Sequence, residues 1–351
     1  MRAMGPDVDA LPIGGRVVVR HRLAEPDAVG HTLTDVVGDL SARDDLALVV
    51  LTRRGEVRVA RDSIEAVKAL PPRAARRGAA HRALSVEGMQ EVMVGAWGAL
   101  EREWLGRWQL RAGRGYTQRA NSVALLGDPG LPLAEAVAAA RGWYAVRSLP
   151  LNVTLAGPVG FDVARDPVGA LLLNGGARAA ERCLTMTADA AAVVATAGSA
   201  RLPRGFAVEV GDELTEEWLR AHRGYRDSDR ATASGTGEDS WWATARAVLT
   251  GSPAQLFASI RDGGGQVVAL GRGGLTPGWV GLASIWVDPG HRRQGLGQVV
   301  TRALLSESLT RGHALAHLQV LSHNAPAQQL YRALGFDPHH EYVNVVEGAP
   351  S

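Results

Sequence analysis

The sequence contains very little cysteine and very little lysine. Cys183 is the single cysteine among 351 residues, so no disulfide can form within the chain, and a reducing compartment is the simplest location. Lys68 is the single lysine, so arginine carries nearly all of the positive charge. The formal net charge is only +2, which is too weak a bias to predict nucleic-acid binding.

Long apolar runs and metal-binding patterns are also missing. The first residues, MRAMGPDVDALPIGG, contain no apolar signal segment, and the alanine-rich run ADAAAVVATAG is too short to span a bilayer. We therefore expect a soluble, cytoplasmic protein with no membrane partner. His339, His340 and Glu341 are consecutive and would alternate between the two faces of a strand, so we expect no metal cofactor.

Hydrophobic residues make up 46% of the chain, which is enough for several domains. Residues 1–70 alternate valine-rich runs with turns, and Arg54-Gly55 between LVVLT and EVRVA is typical of a hairpin. This pattern predicts a small SH3-like β-barrel. Residues 71–80 contain two prolines and an arginine run, which predict a linker.

The remaining residues predict two α+β units, 81–200 and 201–351. In the first, EGMQEVMVGAWGALEREWL has apolar residues at helical spacing, WQLRAG and YTQRANSVALL resemble strands, and LAEAVAAARGWYAVRSL resembles a helix. The second alternates strands and helices in a way that predicts a mixed sheet with one parallel crossover. Because both units share a rough order of elements, we interpret the first as a diverged duplicate of the second.

The segment HRRQGLGQ carries the most informative motif. Strand WVGLASIWV leads into a Pro289-Gly290 turn, after which Gly295 and Gly297 begin an amphipathic helix. A helix N-terminus exposes unpaired N–H groups and the positive end of the dipole, which favours a bound anion. The alternative is an ordinary helix start on a basic surface, since neither the GxGxxG nor the P-loop pattern is present.

With its surroundings, this segment resembles the GNAT (GCN5-related) N-acetyltransferases. VDPGHRRQGLG matches the family's Arg/Gln-x-x-Gly-x-Gly/Ala motif at Arg292, Gly295 and Gly297, and SHNAPAQQLYRALGF resembles its second signature through Asn324 and Tyr331. The resemblance covers residues 202–346. The full layout, including GYTQRANSVALLGDPGLPL, resembles an actinobacterial subgroup with an SH3-like N-terminal domain, some of whose members are described as histone or protein acetyltransferases.

The resemblance implies a fold and a cofactor. Residues 201–351 would form a catalytic GNAT domain, a mixed and mostly antiparallel sheet with flanking helices. Residues 81–200 would form a degenerate GNAT-like unit that no longer binds CoA, because GDPGLPLAEA stands where RRQGLG stands in the other unit. The implied acetyl-CoA-binding residues are Ile285, Trp286, Val287, Arg292, Arg293, Gln294, Gly295, Leu296, Gly297, Gln298 and Asn324.

The resemblance also implies a reaction. Acetyl would pass from acetyl-CoA to a primary amine of a small molecule, or to a protein lysine or N-terminus, by direct attack in a ternary complex. Tyr331 would protonate the departing thiolate, which suits a phenol; the alternative is ordinary core packing. Asn324 would bind CoA, cap the following helix, or do both.

A general base is harder to identify from the sequence. WVGLASIWV lacks a carboxylate and offers only Ser284, so a water chain, Glu209, Asp212 or His323 remain candidates. The acidic run around Glu209 and Glu217 would either attract a cationic amine or favour the first turn of a helix.

Two other functional classes remain open. The first is a non-catalytic adaptor, in which an acyl-CoA-sensing domain controls an SH3-like interaction module. The second, which is less favoured, is nucleic-acid binding through the barrel or the linker. A tandem arrangement also resembles the synthase that acetylates a sugar-cysteine thiol precursor, but the extra N-terminal barrel argues against that match.

Overall fold

The computed structural model describes residues 8, 9, 11, 13, 16–26, 30–52, 55–69, 79–196, 201–227 and 238–348. The chain divides into two compact units, Met1–Gly78 and Ala79–Ser351. Residues 71–78 of the predicted linker lie outside the described residues.

The first unit is a small antiparallel sheet. Its strands are β1 Arg16–Arg22, β2 Leu33–Arg43, β3 Ala47–Thr52, β4 Gly55–Ala60 and β5 Ile64–Ala69. Alternate residues such as Val17, Val19, Leu48 and Val50 are fully buried on one face, as expected for a sheet with a single core. The predicted hairpin is confirmed, because Thr52 pairs with Gly55.

The prediction of a closed barrel is wrong for the described strands. The sheet order is β4-β3-β2-β1-β5, so β4 and β5 form its two edges and do not pair with each other. An open sheet leaves the hydrogen-bonding groups of its edge strands free to pair elsewhere. The alternating pattern of valines that suggested a barrel is equally compatible with this open sheet.

The described residues of the second unit form eleven strands and eight helices. The strands are β6 Glu101–Leu105, β7 Trp108–Ala112, β8 Val123–Leu125, β9 Asn152–Gly157, β10 Arg178–Asp189, β11 Ala207–Gly211, β12 Ala254–Arg261, β13 Val267–Thr276, β14 Trp279–Val287, β15 Leu315–Leu321 and β16 Asp337–Val346. The helices are α1 Val86–Gly95, α2 Leu133–Ala145, α3 Pro167–Asn174, α4 Ala190–Ala195, α5 Glu216–Asp227, α6 Glu238–Leu249, α7 Leu296–Thr310 and α8 Ala325–Ala333.

All eleven strands belong to one mixed sheet, in the order β11-β12-β13-β14-β15-β10-β16-β9-β8-β7-β6. The pairs β14–β15 and β8–β9 are parallel, and the other pairs are antiparallel. The one parallel crossover predicted for residues 201–351 is confirmed by β14–β15, and residues 81–200 contain a further parallel pair, β8–β9. The α+β class predicted for this part of the chain is confirmed.

Strands β10 and β16 are interleaved between the two halves of the sheet. β10 pairs with β15, from Cys183 opposite Leu321 to Asp189 opposite Leu315, and on its other edge with β16. β16 in turn pairs with β9. Each half of the sheet is thus completed by a strand from the other, and residues 81–200 and 201–351 share one sheet.

Helices cover both faces of the sheet near β14. α7 and α8 pack over a core that includes Leu282, Val300 and Leu304. On the opposite face, α5 and α6 enclose an aromatic core that includes Trp218 and Trp242. The strands in between are therefore buried on both sides, as the unbroken burial of β13 shows.

Two local predictions are wrong. The helix predicted through EREWL ends at Gly95, and EREWL forms edge strand β6. The chain must pass close to a neighbour there, because a Cβ on Gly98 would lie 2.4 Å from the Val248 carbonyl oxygen. Within YTQRANSVALL only β8 is a strand, since Arg119–Asn121 is a 3-10 turn.

Candidate functional site

The candidate site begins where β14 and β15 separate. Their parallel pairing runs from Trp279 opposite Leu315 to Leu282 opposite Leu318 and stops there. The pairing of β14 with β13 shifts register at this level, and Ser284 has φ of 52°. Left-handed φ is rare for a residue with a side chain, and a bulge of this kind bends the strand. Residues 285–287 therefore diverge from β15 and leave a gap between the two strands.

A tight turn links this strand to the helix that follows. The Asp288 carboxylate accepts hydrogen bonds from the Gly290 amide and the His291 Nδ1, both at 2.9 Å. Arg293 and Gly295 have φ of 64° and 78°, so the backbone reverses sharply before α7. Gly295 is the N-cap residue, and its end of α7 carries no side-chain cap. The first-turn amides of α7 are therefore available to an anion.

A groove of about 800 Å³ runs along this helix start and the end of β14 that diverges from β15. Its lining residues are Ile285, Trp286, Val287, Arg292, Arg293, Gly295, Leu296, Gly297, Gln298, Asn324, Pro326, Ala327 and Leu330. The structure thus brings together every acetyl-CoA residue predicted from the sequence except Gln294. Sequence analysis did not identify Pro326, Ala327 and Leu330; their spacing on one face of α8 is the signal that could have shown them.

The two glycines of the motif occupy different environments. Gly295 needs the left-handed conformation, and a Cβ there would meet no atom within 4 Å. A Cβ on Gly297 would lie 3.7 Å from Leu330 and 3.8 Å from Val287, which is ordinary packing distance. Gly295 is therefore required by the backbone, whereas position 297 has room for the methyl group of an alanine.

Asn324 takes part in both arrangements considered for it. Its side chain accepts a hydrogen bond from the Ala327 amide at 3.2 Å and caps α8, and it also lines the groove. The two roles are compatible, since a cap holds the side chain in one orientation at the groove wall.

The two predicted catalytic side chains do not line the groove. Tyr331 is only 8% exposed, lies in the main core and packs edge-to-face against Phe336 at 5.7 Å. It directly follows the groove residue Leu330. Ser284 is half-buried on the strand bulge.

The carboxylates proposed as bases are paired with arginines. Glu209 lies 3.4 Å from Arg261, and Asp212 lies 3.4 Å from Arg311. Arg261 also contacts Glu217 of the acidic run. His323 faces Glu181 at 3.3 Å, and both side chains are largely exposed. Glu217 also stands in the first turn of α5, as the structural interpretation of the acidic run predicts.

The opposite face of the strand gap contains a polar cluster that sequence analysis missed. Arg119 donates a hydrogen bond from Nη1 to Gln319 Oε1 and stacks over the Trp97 ring at 4.3 Å. Gln319 donates from Nε2 to His317 Nδ1 at 3.2 Å. Arg119, Gln319 and Ala283 line one small pocket of about 10 Å³. No sequence pattern joins these residues, because they come from distant segments of the chain.

His317 is neutral in this cluster. Burial, together with the positive charge of Arg119 and the neighbouring His340, lowers the pKa of His317 to about 3. Its Nε2 atom is buried without a hydrogen-bond partner. A Cβ on Gly281 would approach this Nε2 to 2.7 Å, so glycine at 281 makes room for the imidazole.

Family models match nearly the whole chain. The model described as "Probable histone acetyltransferase Rv0428c C-terminal" matches residues 85–345, and the model described as "Rv0428c N-terminal Sm-like domain" matches residues 11–68. The chain belongs to this family of GNAT proteins. The N-terminal unit is accordingly Sm-like, and the SH3-like description predicted for it is only approximate.

Individual GNAT relatives agree with this assignment. The probable histone acetyltransferase Rv0428c of Mycobacterium tuberculosis is 26% identical over 340 residues, which cover 93% of each chain. The uncharacterized N-acetyltransferase YobR of Bacillus subtilis is 25% identical over 73% of this chain and 96% of its own length. A GCN5-related N-acetyltransferase from Kribbella flavida shares the fold, with a TM-score of 0.53, 17% identity, and coverage of 76% of this chain and 96% of that one.

The described residues contain neither a membrane-spanning helix nor a metal-binding cluster. No helix among them is both long and apolar enough to cross a membrane. Nor do they bring three or more His, Cys, Asp or Glu side chains together in a group that could hold a metal ion.

Proposed function

We propose that the protein is an acetyl-CoA-dependent N-acetyltransferase that acts on a primary amine. The observation that carries this proposal is the joining of two features in one groove: the end of β14 that diverges from β15, and the glycine start of α7. The first offers backbone groups in extended form, and the second offers amides aimed at an anion. A ligand with an extended amide chain and a pyrophosphate fits both.

Acetyl-CoA, when bound, supplies the acetyl group and a thiolate leaving group. The backbone of residues 285–287 would pair with its amides, as an added strand pairs with a sheet edge. The first-turn amides of α7 would hold the pyrophosphate, and Arg292 and Arg293 would add charge at its oxygens. Asn324, Pro326 and Leu330 would form the opposite wall of the groove.

Tyr331 is the proposed acid. The amine nitrogen forms a bond to the acetyl carbon while the carbon–sulfur bond breaks, and the Tyr331 hydroxyl donates its proton to the departing sulfur. The proton lost by the amine passes to water, and the Tyr331 phenolate recovers a proton from water. Support for Tyr331 is its place in α8 directly beside Leu330 of the groove.

We also propose that residues 81–200 are a diverged GNAT-like unit without CoA binding. Parallel β8–β9 around α2 repeats the arrangement of β14–β15 around α7. α2, however, starts with Leu133 after Pro132, so no glycine clears space at its first turn. The unit would then contribute structural support rather than CoA binding.

The test combines binding with turnover. Acetyl-CoA binding is measured by calorimetry, and CoA thiol release is followed over amines, aminoglycosides, amino acids and basic peptides. Binding together with amine-dependent thiol release is expected. Binding without release for any acceptor would favour the alternative, a non-catalytic acyl-CoA-sensing adaptor, and absence of binding would refute both.

A further inference from the structure

Loop 113–121 is a strained segment whose shape places one side chain at the strand gap. Arg114 and Thr117 have φ of 46° and 58°, and such residues persist only where surrounding contacts hold them. The Asn121 side chain provides those contacts. It accepts from the Gly113 and Gly115 amides and donates to the Tyr116 and Thr117 carbonyls, at 2.8 to 3.1 Å.

The loop is also anchored to residues outside it. Trp97 Nε1 donates to Thr117 Oγ1 at 3.1 Å, and the Tyr116 hydroxyl lies 3.0 Å from His222 Nε2 on α5. Arg119, the last long side chain of the loop, stacks on the same Trp97 ring. The loop, α5 and Trp97 therefore fix the position of the Arg119 guanidinium.

Arg119 lies beside the point where the two strands separate. Its partner Gln319 is one residue beyond Leu318, the last residue of β15 that pairs with β14. Arg119 also lines the small pocket together with Ala283, which directly precedes the bulge at Ser284. The groove is lined by residues of α7 and α8, and Arg119 lies with Ala283 on the opposite face of the sheet, which leaves that face for the acceptor.

The positive charge of Arg119 is not neutralised by a carboxylate. In the part of the chain that the structure describes, no acidic side chain forms an ion pair with it, and Gln319 accepts only one of its five N–H groups. Two further buried arginines, Arg111 and Arg272, bond only to carbonyl and hydroxyl oxygens. The local potential is therefore positive, and an anionic ligand group would be stabilised there.

We infer that Arg119 binds a carboxylate of the acceptor, so that the substrate is a small amine that also carries a carboxylate, such as a free amino acid. This inference rests on the proposed acetyl transfer and names its substrate class. It also makes the middle segment of the chain part of the acceptor site. A strongly basic peptide would meet repulsion from the same guanidinium.

Matched acceptors test the inference in the wild-type protein. Amino acids are compared with the corresponding amino acid amides, and rates are expressed per unprotonated amine because the two amines differ in basicity. We expect kcat/KM to be about 10- to 100-fold higher for the free acids, the range of a charge-assisted hydrogen bond. Equal or faster turnover of the amides, or of basic peptides, would overturn the inference.

Variants distinguish a role of Arg119 in recognising the acceptor carboxylate from a purely structural role. Arg119→Met should lower kcat/KM for the acids by about 10- to 100-fold and leave the amides unchanged. Gln319→Glu should act in the same direction, because its carboxylate would neutralise Arg119, and Arg119→Lys should retain part of the preference. Arg114→Met on the same loop is the control and should change kcat/KM neither for the acids nor for the amides. Equal losses for acids and amides would show a merely structural role and contradict the inference.

A binding measurement keeps the two proposals distinguishable. Calorimetric titration of amino acids into the CoA-saturated protein should give binding that Arg119→Met abolishes. If no acceptor of either kind is acetylated, the proposed function fails, and this titration still decides the inference: Arg119-dependent binding supports it, and its absence refutes it.

Discussion

Alanine at each of the two motif glycines should have opposite consequences. At Gly295 the left-handed φ of 78° makes any side chain costly, at about 1–2 kcal/mol, and since a Cβ there meets no neighbour, this strain is the whole cost. At Gly297 the new Cβ finds ordinary contacts at 3.7 and 3.8 Å, and alanine favours the helix by up to about 1 kcal/mol.

The strain at position 295 must appear either in folding or in binding. If the loop keeps its shape in the free protein, Gly295→Ala loses about 1–2 kcal/mol of unfolding free energy. If the loop relaxes, acetyl-CoA binding restores the strained shape, and Kd rises about 5- to 30-fold. In either case, the loss of unfolding free energy and the loss of binding free energy should together equal the strain energy.

Calorimetry with acetyl-CoA and chemical denaturation measure the two quantities on the same variants. Gly297→Ala is the matched control, with stability equal to or above wild type and nearly unchanged Kd. The reasoning would be refuted by Gly295→Ala that is neutral in both measurements, or by Gly297→Ala that is equally damaging.

Three further predictions follow from the site and its surroundings. Tyr331→Phe should lower kcat by about 100-fold or more, the usual contribution of a general acid, with the acetyl-CoA Kd kept; an unchanged steady-state rate would remove Tyr331 as the acid. Burial lowers the pKa of His317 and of His340 to about 3, below the value near 6.5 in the unfolded chain. Between these pH values the unfolded chain binds more protons than the folded one, so the unfolding free energy should fall as pH drops from about 6.5 towards 3. The slope should approach about 1.4 kcal/mol per pH unit for each imidazole, and His317→Gln should reduce it in denaturation curves; an unaltered slope would contradict the assignment. Arg272→Met should cost about 3 kcal/mol or more of unfolding free energy, because it leaves the Leu249 and Ala96 carbonyl oxygens buried without their hydrogen-bond donor; a loss of unfolding free energy below about 1 kcal/mol in chemical denaturation would contradict this.

The sequence predicts the groove well because its parts are local. The strand WVGLASIWV, the turn and the glycine helix start are contiguous, and the second signature follows after one helix and one strand, so the order of elements implies the layout. Edge strand β6 was missed because a single apolar pattern continues across Gly95 and Gly98, and only close approach to the Val248 carbonyl shows where the helix must end.

The non-local features could not be predicted from a single sequence. Periodicity describes which face of a strand is buried, not which strand lies beside it, so the exchange of β10 and β16 leaves no local signal. Arg119 is invisible for the same reason, since Gln319 and Trp97 reach it only through tertiary folding. Closure of a small sheet likewise depends on twist and edge pairing rather than on the valine alternation.

The interleaved strands also constrain how this protein can change over evolutionary time. Deletion of residues 81–200 would take β10 away from β15 and leave β16 without its neighbour β9, which would expose the hydrogen-bonding edges of β15 and β16. The half that lacks a glycine helix start therefore cannot be discarded as redundant. Selection for the function of residues 201–351 therefore also preserves the fold of residues 81–200, and the two halves evolve as a single unit.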